Sequence, residues 1–222
     1  MTDTNRLIDQ LTAHAAPVRR MSAPLPRTLA WLALALLVSA AIAASFDVGA
    51  GWSRILATPG ATFEWAMSLL TGVLAAYAVF QVSVPGRDPR WAWLPLPIAL
   101  LWIGGLGVGC LGDITRDAGA GLAFDTHGLE CMRAITLTSI PLGLVLLLMV
   151  RHAGVVRPGR TALLAMLSAA ALAASMVSLI HDGRESALMV LLWHVGAVRG
   201  LSLLSLLFSR RMFAWVGYAR PA

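Results

Sequence analysis

Cys110 and Cys131 are the two thiols of this 222-residue chain. Between them lie Asp113, Asp117, Asp125, His127 and Glu130. His127 and Cys131 stand four residues apart, which puts them on one face wherever that stretch is helical. His181 and Asp182 close a later apolar stretch. Thiolate and imidazole suit zinc, cadmium or similar ions, and an oxidising compartment equally permits a disulfide. Two cysteines without C-x-x-C spacing select neither chemistry. A small buried thiol beside a solvated acidic loop is the plainer alternative. The chain has no P-loop, no H-E-x-x-H, no G-x-S-x-G and no intramembrane carboxylate pair, so catalysis is not expected. Nor is a resident cofactor, beyond a metal ion that this face could hold.

A second group of residues suits binding. A short helix capped by Thr2 or Thr4 and stopped by Pro17 sets Leu7, Ile8 and Leu11 on one face, with Asp3, Arg6, Asp9 and Gln10 largely off it. Such a helix is marginal alone and gains stability by docking, in a partner's groove or on a membrane surface. With Arg6 its one base against two acids, attraction to anionic lipid is weak, so a protein partner is favoured over lipid and over an inert tail.

These residues must be positioned by membrane helices. Hydrophobic residues make up 58% of the chain and charged residues 13%, with a mean hydropathy of +0.76; a soluble domain carries about 25% charged residues. A helix crosses the hydrocarbon core with roughly 17–25 apolar residues. Six stretches meet that length: Thr28 to Phe46, Trp65 to Val84, Trp91 to Cys110, Met132 to Val150, Thr161 to Ile180 and Ala187 to Phe208. The fold class is all-α, a polytopic bundle of six transmembrane helices with a short cytoplasmic N-terminal amphipathic helix. Residues 1–27 form the N-terminal segment, 28–208 the membrane domain and 209–222 a C-terminal tail. Trp31, Trp65, Trp91 and Trp93 are expected at the interfaces. Pro95 and Pro97 should break the first turns of the third span. Gly104, Gly105, Gly107 and Gly109 in that span, and the alanines of the fifth, suit close helix packing. In the sixth span, His194 and Arg199 are the main ionisable groups, and Arg199 suits a structural role, paired in the bundle or snorkelling.

The connections are charged unequally. Twelve arginines and three acids fall on the side of both termini, four arginines and eight acids on the other. Basic loops stay inside, so the termini are expected in the cytoplasm of a bacterium and the acidic loop outside its inner membrane. The net charge of +6 therefore marks membrane boundaries, not direct nucleic-acid binding. Ala41-Ile42-Ala43 has the form of a signal-cleavage site, but a leader of that length is not expected.

Three stretches resemble the NrsF family of bacterial negative regulators of sigma-F, six-span membrane proteins. One is Leu7-Ile8-x-x-Leu11 followed by Pro17-Val18-Arg19-Arg20. Another is Leu129-Glu130-Cys131 with Ile140-Pro141-Leu142, Arg151-His152-Ala153 and Pro158. The last is Ser178-Leu179-Ile180-His181-Asp182 with Leu192-Trp193-His194 and Arg210-Arg211-x-x-x-Trp215. The resemblance implies an anti-sigma factor that holds an extracytoplasmic-function (ECF) sigma factor at the membrane and releases it under metal or oxidative stress through two outward cysteines. By position, Cys131 matches the first of these. Asp182, after His181, stands where the family has the second, leaving Cys110 or Asp182 itself to complete the sensor. A small-solute transporter or channel, or a non-catalytic subunit of a membrane complex, is the rival reading; its weakness is the dry middle of the spans.

Overall fold

The computed structural model describes residues 2–13, 21–116, 128–153, 155–180 and 187–215. Helices α1 (Thr2–Ala13), α2 (Pro24–Ala43), α3 (Val48–Ala57), α4 (Pro59–Val82), α5 (Leu96–Arg116), α6 (Gly128–Val150), α7 (Pro158–Ile180), α8 (Ala187–Val190) and α9 (Gly196–Trp215) follow in order, with no strand among the described residues. A π-helical turn, Leu191–Val195, joins α8 and α9 into one span. Six helices are long and apolar enough to cross a membrane, so the chain is a six-span membrane protein.

Four of the elements start earlier than hydropathy alone predicts, and each starts on a proline: Pro24, Pro59, Pro89 and Pro158. Proline suits the first helical position because the N–H it lacks would have no intrahelical partner there. The third span opens with a 3-10 turn, Pro89–Trp93, before α5 begins at Leu96, as the Pro95/Pro97 pair requires. Gly86, with φ of 82°, turns the chain between α4 and this segment. Asp88 Oδ1 accepts the Arg90 N–H at 2.8 Å and caps the turn.

Starting α2 at Pro24 carries Trp31 two turns into the helix. It is fully buried in the main apolar cluster with Ala35, Val79, Phe80 and Leu146, so the expectation of an interfacial Trp31 is corrected. The sequence reading also missed α3. This ten-residue helix, too short to cross a membrane, is capped by Asp47 Oδ1, which accepts the Ala50 N–H at 3.3 Å. Trp65 lies beside it, edge-to-face with Trp52 at 5.1 Å.

The central element is α7. Between Thr161 and Val177 every residue is buried except Leu163 and Leu167, which are partly so. Its alanines let α4, α6 and α9 approach closely. Ser168 Oγ donates to the Gly72 carbonyl of α4 at 2.6 Å, and Ser205 Oγ of α9 to the Ala162 carbonyl at 3.1 Å. A Cβ at Gly72 would lie 2.6 Å from Leu172 Cγ, and one at Gly51 of α3 only 1.7 Å from the Leu179 carbonyl oxygen. The α5 glycines differ from one another. Gly105 packs closely against Phe63 of α4, as expected, but Gly104 and Gly107 face open space.

Neighbouring spans alternate in direction. One end gathers the starts of α2, α5 and α7 and the ends of α4, α6 and α9, with Arg27, Arg87, Arg151 and Arg210. Arg27 Nη2 there donates to the Met149 carbonyl at 2.8 Å, and its guanidinium carbon lies 4.7 Å from the centre of the Phe80 ring. The opposite end carries Asp47, Glu64 and Glu130, and Arg54 Nη2 donates to the Ser178 carbonyl at 2.6 Å. The described span ends gather as the arginine count requires.

Gly51→Ala should lower unfolding stability by on the order of 1–3 kcal/mol, because backbone must move. Gly107→Ala, in open space, should change it by less than about 0.5 kcal/mol. Unfolding titrations of the purified protein in one detergent would compare them.

Candidate functional site

The two groups of residues that could act lie in different settings. At the N-terminus, α1 forms over Thr2–Ala13, and Pro17 lies outside the described residues. Every described side chain on it, from Thr4 to Ala13, is exposed. Leu7 is 55%, Ile8 51% and Leu11 66% exposed. The helix thus carries an apolar face that the bundle does not cover, and exposed clusters of this kind mark docking surfaces.

Cys131, near the start of α6, is 1% exposed. It belongs to an apolar cluster with Trp102 and Leu106 of α5, Ile135 of α6, Ala174 of α7 and Val195 of the π turn. Cys110, near the end of α5, is only half-buried, and no disulfide joins the two. His127, His181 and Asp182 lie outside the described residues. Among the described residues no group of three His, Cys, Asp or Glu side chains is placed to hold a metal ion.

Sequence reasoning missed the π turn. The apolar run Leu191–Val195 carries no mark of it, though such turns often occur at functional sites. It buries His194, 3% exposed, against the bundle. Arg199, a turn further on, is exposed on α9. It lies outside the bundle, so the reading that pairs it within the bundle is corrected.

A family model described as negative regulator of sigma F, NrsF, matches residues 11–215. The chain belongs to the NrsF family. A sigma factor is accordingly the partner that the family description implies, and negative regulation is the role it names. No curated protein and no solved structure matches the chain. The NrsF match takes in the whole membrane bundle and both cysteines. It opens at Leu11, so Leu7 and Ile8 precede it. The apolar face of α1 therefore rests on its own exposure and periodicity for most of its length.

Alkylation of a buried thiol waits on local opening of the helices around it. In native membranes of this NrsF protein, Cys110 should react with a small maleimide at least about ten times faster than Cys131, a ratio equivalent to about 1.4 kcal/mol of opening. Both should react alike in denaturant. Mass spectrometry of the labelled peptides reads the ratio, and equal rates in native membranes would show that Cys131 is not enclosed.

Proposed function

We propose that this protein is a membrane-bound anti-sigma factor that docks an ECF-type sigma factor on the Leu7, Ile8 and Leu11 face of α1. It releases that factor when metal or oxidative stress outside the inner membrane alters the helix packing around Cys131. The observation that carries the reading is the uncovered apolar face of α1 on a chain whose family regulates a sigma factor. Sequestration requires no catalysis. The helix needs only to occupy a surface that the sigma factor would otherwise present to core polymerase, as an amphipathic helix fills a groove. The excess of arginine at the α2 end of the bundle supports a cytoplasmic position for α1.

Release requires two packings of the bundle, with the signal binding one better than the other. Cys131 suits that role because it lies where α5, α6, α7 and the π turn meet. A thiol that gains a metal ion or an oxygen there outgrows a close-packed site. Asp182 and His181 are the further candidate ligands, with Cys110 and His127 on the same side of the chain's topology.

Leu7→Arg and Leu11→Arg should each weaken sigma-factor retention on membranes at least about tenfold, equivalent to about 1.4 kcal/mol, and raise transcription of its regulon. If a deletion through Pro17 still retains the sigma factor, α1 is not the docking site. Cys131→Ala should keep the sigma factor bound and blunt its release by cadmium or peroxide. Undiminished release from that variant would place the sensor elsewhere.

A further inference from the structure

Between α2, α4 and α7 runs a cavity of about 410 Å3. Leu32, Leu36 and Ala40 of α2, Trp65 and Val73 of α4, and Met176 of α7 are among the residues that line it. The lining is almost wholly apolar. Its polar atoms are the hydroxyls of Ser39 and Ser175 and the indole N–H of Trp65. The Ser175 hydroxyl already donates to the Leu172 carbonyl at 2.8 Å, which leaves too few polar partners to hold water through a space of this size. An unfilled space of this size would forfeit dispersion contacts along three helices.

Its shape limits what fills it. On α2 the lining runs from Leu32 to Ala43, about 16 Å at 1.5 Å per residue. That is close to half of the roughly 30 Å hydrocarbon core, one leaflet deep. Most of the lining on α2 and all of it on α7 comes from the C-terminal half of each helix, with Leu32 and Val73 near the helix middles. Trp65 and Leu69 come from the first half of α4, so the cavity occupies mainly the leaflet at the acid-rich end. Near mid-membrane α4 and α7 close together, where Ser168 holds the Gly72 carbonyl and Leu172 meets Gly72. At the outer end α3 sits on α7 through Gly51 and Arg54, and Trp52 braces Trp65. Towards the bilayer the cavity is flanked by Leu36, 70% exposed, and by exposed Ala40. It is thus continuous with the surface that the six spans present to lipid.

We propose that this cavity is a binding site for one acyl chain of a bilayer phospholipid from the leaflet at the acid-rich end, held between α2 and the α4–α7 pair. The bound chain completes the packing of α2. That helix is held near its start by buried Thr28 and Trp31 and by the Arg27 contacts, whereas its second half borders the cavity. The proposal depends on the membrane fold and not on the sigma-factor reading, and its test reads lipid alone.

Native mass spectrometry of the full-length protein in detergent, with palmitoyl-oleoyl phosphatidylglycerol as the added probe, measures it. The wild type should retain one phospholipid per chain after extended detergent washing. Ala40→Phe and Ala43→Phe each set a ring in the cavity and should cut the lipid-bound fraction at least about tenfold, since that volume is then taken. Val108→Phe, on the exposed side of α5, should leave retention unchanged. Failure of the wild type to retain phospholipid, or a lipid-free dimer, would overturn the proposal. So would equal retention by wild type and whichever phenylalanine variant folds.

Discussion

Close approach to α7 is the constraint on which the rest of the bundle depends. Inside a bilayer, apolar side chains gain little by leaving lipid for protein, so helices associate through van der Waals fit and a few hydrogen bonds. Alanine and serine on α7 supply that fit on several sides at once. Ala165, Ala169 and Leu172 belong to the cluster that includes Trp31 of α2 and Phe80 of α4. Ala170, Ala173 and Ala174 belong to the one that includes Cys131 of α6 and Trp102 of α5. A larger residue at any of these positions separates helices that have no other strong attraction.

That arrangement also sets how the two ends of the molecule could communicate. The environments of Cys131 and of α2 are separate clusters, and α7, with α6 and α9, contributes to both. Energetic coupling needs an element with two discrete arrangements that both sites bias. A one-residue rotation or a small shift of α7 would repack both clusters together, whereas changes confined to α5 would leave α2 where it is.

Much of this was legible in the sequence, because lipid leaves the backbone little choice: six apolar runs of sufficient length become six helices. The pairing of loops by arginine content was equally legible, and the starts and ends of the spans gather as that pairing requires. What was missed has physical causes. The proline starts at Pro24, Pro59 and Pro158 lie outside the apolar runs, so a hydropathy window passes over them although helix-capping rules mark them. Trp31 was misplaced by the same few residues. The short α3 hides between two spans, betrayed only by Asp47 as its cap. In α5 the glycines look like a packing face, yet glycine content says nothing about which side of a helix meets a neighbour. Of the candidate site, the face of α1 was readable from spacing, and the enclosure of Cys131 was not, since burial depends on α5, α7 and the π turn together. His127, His181 and Asp182 fall outside the described residues.

Eleven peptide steps separate Ala13, the last residue of α1, from Pro24, the first of α2. Fully extended, they span at most about 40 Å. On the proposed docking to α1, the partner would be kept within roughly one domain's width of the bundle, with a bilayer closing off the hemisphere behind it. A large multisubunit enzyme would have to approach its quarry from the remaining side only.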